Sequence, residues 1–169
     1  VGDSQNTYSL VWDGTAKESN YTVADQVGTL SVSRQTINPD DPENPKAYDG
    51  AQVNYPEDVT YDGQEHKWAP TVTNKKGAEL VEGTDYTVSY DKSNFTDVTG
   101  DILVTITGIG NYSGSVTRSY KINPATYYVV TDGASKTYDG SALKAPGRVV
   151  GLVNDEEVAF EATGSQTEV

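Results

Sequence analysis

Cysteine and methionine are absent from the 169-residue sequence, and histidine occurs once. Without cysteine the chain has neither disulfide bonds nor thiol chemistry. With one histidine and no nucleophile elbow, the sequence offers no Ser-His-Asp arrangement for covalent catalysis. Because even the first residue is not methionine, we expect this chain to be an internal or processed segment of a longer protein.

Basic residues and long apolar runs are also scarce. Twelve Lys and Arg residues stand against 25 Asp and Glu residues, giving a net charge of −13. An acidic surface repels nucleic acid and anionic lipid head groups, so neither is an expected partner. No apolar run approaches the roughly 20 residues of a membrane-spanning helix and no signal peptide is visible, so we expect no membrane insertion. We attribute the acidity to solubility outside a cell, with calcium loading as the alternative.

Helix signals are nearly absent, because Gly, Asn, Asp, Thr and Pro interrupt the chain every few residues. Strand signals are frequent instead: Tyr86–Tyr90 and Ser115–Ile122 alternate apolar and polar residues, and Ile102–Thr107 is β-branched and bounded by Gly100 and Gly108. One face of the first strand, which we expect to be its core face, carries Tyr86, Val88 and Tyr90. Weaker strand signals lie at Leu10–Trp12, Tyr21–Ala24, Thr29–Ser33, Tyr127–Thr131, Arg148–Val150 and Glu157–Ala162. Short runs at this spacing predict an all-β sandwich or barrel.

Three Tyr-Asp-Gly tripeptides mark predicted tight turns. They are Tyr48-Asp49-Gly50, Tyr61-Asp62-Gly63 and Tyr138-Asp139-Gly140. Asp-Gly supplies the left-handed backbone that a tight turn requires. We expect the tyrosine before it to bury its ring at the edge of a domain.

The chain repeats itself with a period of about 80 residues, which is the signature of a tandem array. Lys46–Pro124 forms a complete module of 79 residues. Tyr127–Val169 resembles its first part and Val1–Ile37 its last part, so 43 and 37 residues joined end to end make one further module. Matching landmarks are the Tyr-Asp-Gly turns, Leu80-Val81 with Leu152-Val153, Thr96–Asp101 with Thr167–Val169 plus Val1–Asp3, and Ile122-Asn123-Pro124 with Ile37-Asn38-Pro39.

These matches predict the domain organisation. Residues 1–37 are the C-terminal half of one module, 46–124 a complete module, and 127–169 the N-terminal half of another. Asn38–Pro45, with three prolines and three acidic residues, is a semi-rigid linker, whereas 125–126 is a short joint. We expect neighbouring copies to complete one another head to tail. Continuation of the same polypeptide and meeting of the chain's own ends remain open alternatives.

Candidate chemical sites are few. We expect His66, between Glu65 and Lys67 at the polar start of a strand, to be exposed to solvent. Glu156 and Glu157 are adjacent, and in a strand neighbouring carboxylates point to opposite faces, which is poor for shared acid–base work. The linker acids Asp40, Asp41 and Glu43 could hold a weak calcium site, although they lack the spacing of a known calcium loop.

Several stretches of sequence resemble one family of repeats. The stretches are the Tyr-Asp-Gly turns, Leu80–Tyr90, Val104–Gly114, Lys136–Gly140 and Ala162–Gln166. They resemble the YDG-type and Ig-like tandem repeat modules of Gram-positive bacterial surface adhesins. The resemblance implies Ig-like β-sandwich modules, with β-grasp modules as the alternative; the weak helix signal favours the sandwich. It implies no enzyme activity, no catalytic residue and no cofactor.

The same resemblance implies a function at the cell surface. The chain is expected to be one period of a stalk or filament, a structural spacer that projects an adhesive region of an extracellular protein. That protein is expected to be wall-anchored through a region outside this chain. The alternative is that the modules themselves bind host glycan or matrix protein. Trp12 and Trp68, expected to pack in or beside a core, would then stack on sugars.

Gram-positive surface modules also use internal Lys–Asn isopeptide bonds. Such a bond needs a lysine and an asparagine on neighbouring strands with a buried carboxylate between them. Residues of the right types are Lys67, Lys121, Asn111, Glu82 and Asp85, but their spacing singles out no triad.

Overall fold

The computed structural model describes residues 1–37 and 50–168, which form an all-β structure as predicted. The one helical element among them is a 3₁₀ turn, Glu18–Asn20. The strands are β1 (Gly2–Gln5), β2 (Thr29–Val32), β3 (Gln35–Thr36), β4 (Gln52–Val53), β5 (Val59–Thr60), β6 (Val72–Thr73), β7 (Tyr86–Tyr90), β8 (Ile102–Gly108), β9 (Tyr112–Ser113), β10 (Ser115–Tyr120), β11 (Ile122–Asn123), β12 (Tyr128–Thr131) and β13 (Gly147–Val150). The described sheets have two or three strands each. The structure therefore shows the all-β class but not the Ig-like sandwich topology.

The chain divides into two compact units. Unit 1 comprises Val1–Asn54, Pro70–Ser89 and Thr105–Thr117. It contains the antiparallel pairs β1–β2 and β4–β6 and the parallel pair β3–β9. Unit 2 comprises Tyr55–Ala69, Tyr90–Val104 and Arg118–Val169. It contains the parallel pair β5–β11 and the antiparallel pair β12–β13.

One three-stranded sheet has the order β10-β8-β7, with β8 in the centre. Successive side chains of a strand point to opposite faces. In β8, accordingly, Ile102, Val104 and Ile106 are fully buried, whereas Leu103 is exposed. In β7, Tyr86 is buried and the next two residues of its face are half-buried, whereas Thr87 and Ser89 are exposed. The predicted core face of this strand is therefore confirmed.

The strong strand predictions were correct and some weak ones were not. The strongest signals appear as β7, β8 and β10, and β2, β12 and β13 match three of the weaker ones. Leu10–Trp12, Tyr21–Ala24 and Glu157–Ala162 are not strands in this structure. A strand requires a hydrogen-bonded neighbour, and these three segments have no ladder partner among the described residues.

Burial is distributed unevenly along the sequence. All thirteen buried hydrophobic side chains of the described chain lie between Ile37 and Ile122. Of the twenty exposed large hydrophobic residues, sixteen lie in residues 1–37 and 127–168. Apart from Ile37, the buried hydrophobic side chains therefore belong to the central segment, whereas most of the exposed large ones belong to the two terminal segments.

Two predictions fall outside the described residues. The linker Asn38–Pro45, with its possible calcium ligands, lies in that part of the chain, as do Tyr48 and Asp49 of the first predicted turn. Gly50 of the same turn is described and is buried.

Candidate functional site

The turn at Tyr61-Asp62-Gly63 is held by the aspartate. Gly63 has a φ of +73°, in the left-handed region. Asp62 Oδ1 accepts a hydrogen bond from the backbone N–H of Gln64 at 2.9 Å and lies 2.7 Å from His66 Nε2. These bonds, chiefly that from Gln64, lower the pKa of the Asp62 carboxyl. The prediction of an exposed His66 at the start of a strand was wrong: the side chain is half-buried, with 22% of its surface exposed, and its segment is not a strand.

The turn at Tyr138-Asp139-Gly140 has the same local structure. Gly140 has a φ of +76°, and Asp139 Oδ1 accepts hydrogen bonds from Ser141 N at 2.9 Å and Lys136 Nζ at 2.7 Å. The Lys136 ammonium and the bonds from Ser141 lower the pKa of Asp139 to about 2. Tyr138 is 64% exposed, so the expected burial of its ring is not found here.

A second turn in unit 2 contacts the Tyr61 turn. The Tyr61 hydroxyl donates a 2.6 Å hydrogen bond to Glu156 Oε1, which raises the pKa of Tyr61. Asn154 and Asp155 have positive φ angles of 52° and 56°, which are uncommon for residues other than glycine. The side-chain amide of Asn154 occupies the space where a Cβ on residue 63 would lie, so Gly63 permits this contact. The pair of turns joins the predicted central module to the predicted half-module that follows it.

Tyrosine hydroxyls hold the segment His66–Pro70, which is not part of a strand. They donate to every second backbone carbonyl of the segment, and we call this arrangement the tyrosine latch. Its pairs are Tyr120 to His66 O at 2.7 Å, Tyr90 to Trp68 O at 2.7 Å and Tyr86 to Pro70 O at 3.3 Å. Burial raises the pKa of Tyr86 and of Tyr120. Sequence reasoning missed the latch, for which the abundance of tyrosine was the one available signal.

The isopeptide candidates have other neighbours in this structure. Lys67 Nζ lies 4.8 Å from the centre of the Tyr90 ring. Lys121 Nζ forms an exposed ion pair with Asp101 Oδ1 at 3.2 Å. These contacts do not bring either lysine to an asparagine side chain.

An open groove lies in unit 2, within the predicted N-terminal half-module. Its volume is about 570 Å³, and its apolar lining includes Leu143, Ala145, Phe160 and Ala162. The acidic residues that line it are Asp132 and Glu161. A groove lined by apolar and small side chains is suited to packing against another apolar surface.

An exposed apolar strip lies in unit 1, within the predicted C-terminal half-module. Tyr8 and Leu10 are 53% and 56% exposed. Trp12 is 38% exposed and stacks on Tyr21 with ring centroids 5.8 Å apart, whereas Trp68 is half-buried. The chemistry that the groove and the strip offer is apolar association.

Searches for metal sites, for membrane-spanning helices and for similar proteins add nothing to this description of the site. Within residues 1–37 and 50–168, no cluster of three or more His, Cys, Asp or Glu side chains has the geometry to hold a metal ion. Over the same residues, no helix has the length and apolar character to cross a membrane. Comparison of the chain with protein-family models, curated proteins and solved structures found no match.

Proposed function

We propose that the chain is one period of a tandem-repeat stalk or filament of a bacterial cell-surface protein. Its Ig-like modules act as structural spacers that project an adhesive region away from the cell. The observation that carries this proposal is the uneven burial: buried hydrophobic residues lie between Ile37 and Ile122, and most exposed ones lie in the two terminal segments.

The two terminal segments both expose apolar side chains, and together they match one complete module in sequence. Tyr127–Val169 matches the first part of the central module and Val1–Ile37 matches its last part. Each apolar Å² removed from water is worth roughly 25 cal/mol, so joining two such segments is strongly favoured over leaving both exposed. Head-to-tail completion between neighbouring copies satisfies both segments and repeats along the array.

The contact between turns in unit 2 suits a spacer. The Tyr61–Glu156 hydrogen bond and the fit of Asn154 over Gly63 connect the predicted central module to the predicted half-module that follows it. Such a joint limits bending at this point. A net charge of −13 keeps an extended extracellular array soluble.

A direct fusion of two copies tests the proposal. Joining Val169 of the first copy to Val1 of the second creates one composite module from the two half-modules. Scanning calorimetry of the fusion should show an additional cooperative transition that single chains lack, and small-angle scattering should show an elongated particle. The matched control is the same fusion with Leu10→Asp in the second copy, which should lose the additional transition. If the fusion unfolds like two independent single chains, the proposal is wrong.

Binding of host glycan or matrix protein by the modules is a second candidate function, favoured by the exposed Trp12–Tyr21 stack. The two functions differ in what happens to Trp12 in the fusion. Completion of the module buries its indole and shifts its fluorescence to shorter wavelength. A ligand-binding surface keeps it exposed and retains single chains on a glycan or matrix array.

A further inference from the structure

We infer that Tyr8–Trp12 of one copy is the central strand of the composite module and binds in the groove of a second copy, beside Val158–Ala162. This inference rests on the proposed head-to-tail completion and adds to it a strand, a register and three anchor side chains. The occupant is a second copy of this chain, because the groove and the strip belong to segments that match consecutive parts of one complete module.

The central module supplies the template. Its strand β8 lies between β7 and β10 and buries three alternate side chains completely. Asp91 N donates to Leu103 O at 3.1 Å and Ile109 N donates to Asp85 O at 2.9 Å. Between these two bonds the residue number falls along β7 and rises along β8, so the two strands are antiparallel. Tyr90 then lies opposite Val104, and Val88 opposite Ile106.

The repeat transfers this template to the terminal segments. Aligning Gly14 with Gly108 places three large apolar residues on the buried positions of β8. The aligned pairs are Tyr8 with Ile102, Leu10 with Val104 and Trp12 with Ile106. The intervening Ser9 and Val11 fall on outward positions, and Val11 is 91% exposed. The three large apolar side chains of the strip therefore share one face of the inferred strand.

The groove corresponds to the place of β7 and its neighbours. Counting from the shared Leu-Val pair aligns Val158–Ala162 with Tyr86–Tyr90. Phe160 and Ala162, which line the groove, then occupy the inward positions of Val88 and Tyr90. The groove is thus the space that the central strand and its side chains fill in the complete module. Leu10 lies opposite Ala162 in this register, and Trp12 opposite Phe160.

Insertion also changes the partner of β2. In this structure β2 pairs with β1, and Val32 lies opposite Gly2. In the template, Gly108 N donates to Gly114 O at 2.9 Å, which places Val104 opposite Arg118. The shared Ile-Asn-Pro landmark aligns Leu30 with Ser115 and so transfers that pair to Leu10 and Ser33. Insertion therefore exchanges Gly2–Gln5 for Tyr8–Trp12 beside β2, and Tyr8 gives up its hydrogen bond to Asp25.

Cysteine cross-linking of full-length chains tests the register, and the absence of native cysteine makes the result unambiguous. Tyr90 and Val104 lie between hydrogen-bonded pairs, the arrangement in which antiparallel Cα atoms approach to about 4.5 Å, within disulfide range. An equimolar mixture of Leu10→Cys and Ala162→Cys chains is oxidised mildly, and the mixed dimer is identified by intact mass. The matched control replaces Leu10→Cys by Val11→Cys, whose side chain points to the other face. The inferred register predicts at least about tenfold more mixed dimer than the control.

A second pair, Trp12→Cys with Phe160→Cys, covers the case in which one variant fails to fold, and circular dichroism checks each chain. Yields no higher than those of the Val11→Cys control for both pairs overturn the inference. A doubly substituted Leu10→Cys, Ala162→Cys chain that cross-links only within itself in dilute solution also overturns it, since the occupant is then the chain's own strip. If the two-copy fusion gains its additional transition while the cross-links fail, the strand assignment is wrong and the proposed function stands. If the fusion gains nothing, the proposed function fails as well.

Discussion

The Tyr120 hydroxyl donates a hydrogen bond to the His66 carbonyl oxygen at 2.7 Å and lies 3.3 Å from Trp68 N, whose N–H points to it. Tyr120 itself is only 2% exposed. One hydroxyl therefore satisfies a backbone acceptor and a backbone donor in a segment that has no strand pairing of its own. In this part of the molecule, side chains replace the ladder that a neighbouring strand normally provides.

Tyr120→Phe should destabilise the protein by about 1–2 kcal/mol, because it retains the buried ring and leaves the His66 carbonyl and Trp68 N–H without their partner. Urea unfolding measures the difference. Tyr138→Phe, which removes a hydroxyl from a tyrosine that is 64% exposed, is the matched control and should change stability little. Equal midpoints for the two variants would show that the latch contributes nothing.

Stability should fall at alkaline pH through the buried tyrosines. Burial raises the pKa of Tyr86 above its ordinary value of about 10. The folded state favours the neutral hydroxyl, so this contribution is complete below pH 10 and is lost as the pH rises through the raised pKa. The stability of Tyr86→Phe should therefore decline less steeply than that of the wild type as the pH rises above about 10. Parallel slopes in urea titrations over that range would contradict this.

Asp139 should titrate at about pH 2, because Lys136 and Ser141 stabilise its carboxylate. A depressed pKa stabilises the turn above the ordinary value of 3.8, and that contribution is lost as the pH falls toward 2. Carboxyl ¹³C chemical shifts followed by NMR measure the titration. Lys136→Met should move the pKa of Asp139 upward, whereas Lys144→Met should leave it in place. A measured pKa near 3.8 for Asp139 in the unaltered chain would contradict this prediction.

Gly63→Ala should disrupt the contact between the two turns of unit 2. The added Cβ overlaps the Asn154 amide, and a φ of +73° costs an alanine about 1–2 kcal/mol. Gly140→Ala is a close control, because Gly140 has a φ of +76° and open space around its Cβ position. The pKa of Tyr61, measured by ultraviolet titration, should fall toward its ordinary value in Gly63→Ala and stay raised in Gly140→Ala. An unchanged Tyr61 titration in both variants would place the contact elsewhere.

Local pattern was sufficient to predict the strands that have partners. Ile102–Thr107 is rich in β-branched residues and is bounded by Gly100 and Gly108, and its neighbours in the sheet lie in the same continuous predicted module. Leu10–Trp12 is also a short apolar run with a weak strand signal, but it is not a strand here. Alternation selects a face, whereas strand formation also needs a neighbour to complete the hydrogen bonds.

The contacts that sequence reasoning missed are of two kinds. Tyr120 and His66 are 54 residues apart, and no spacing rule connects a hydroxyl to a carbonyl at that separation. The contact between His66 and Asp62 is local, between residues i and i+4. It was not predicted because a strand was expected to begin there, and an extended strand separates residues i and i+4. Turn chemistry at Asp62 was the stronger signal, since an aspartate that accepts a backbone hydrogen bond draws nearby donors toward it.

The tyrosine latch has a consequence for how the proposed array would respond to pulling. At the latch positions of Tyr86, Tyr90 and Tyr120, the terminal segments carry Val158, Ala162 and Gln35. In the proposed array, composite modules would therefore lack these three hydroxyl bonds, which central modules have. If the composite modules are the less stable ones for this reason, they would unfold first under tension and lengthen the array while the central modules stay folded.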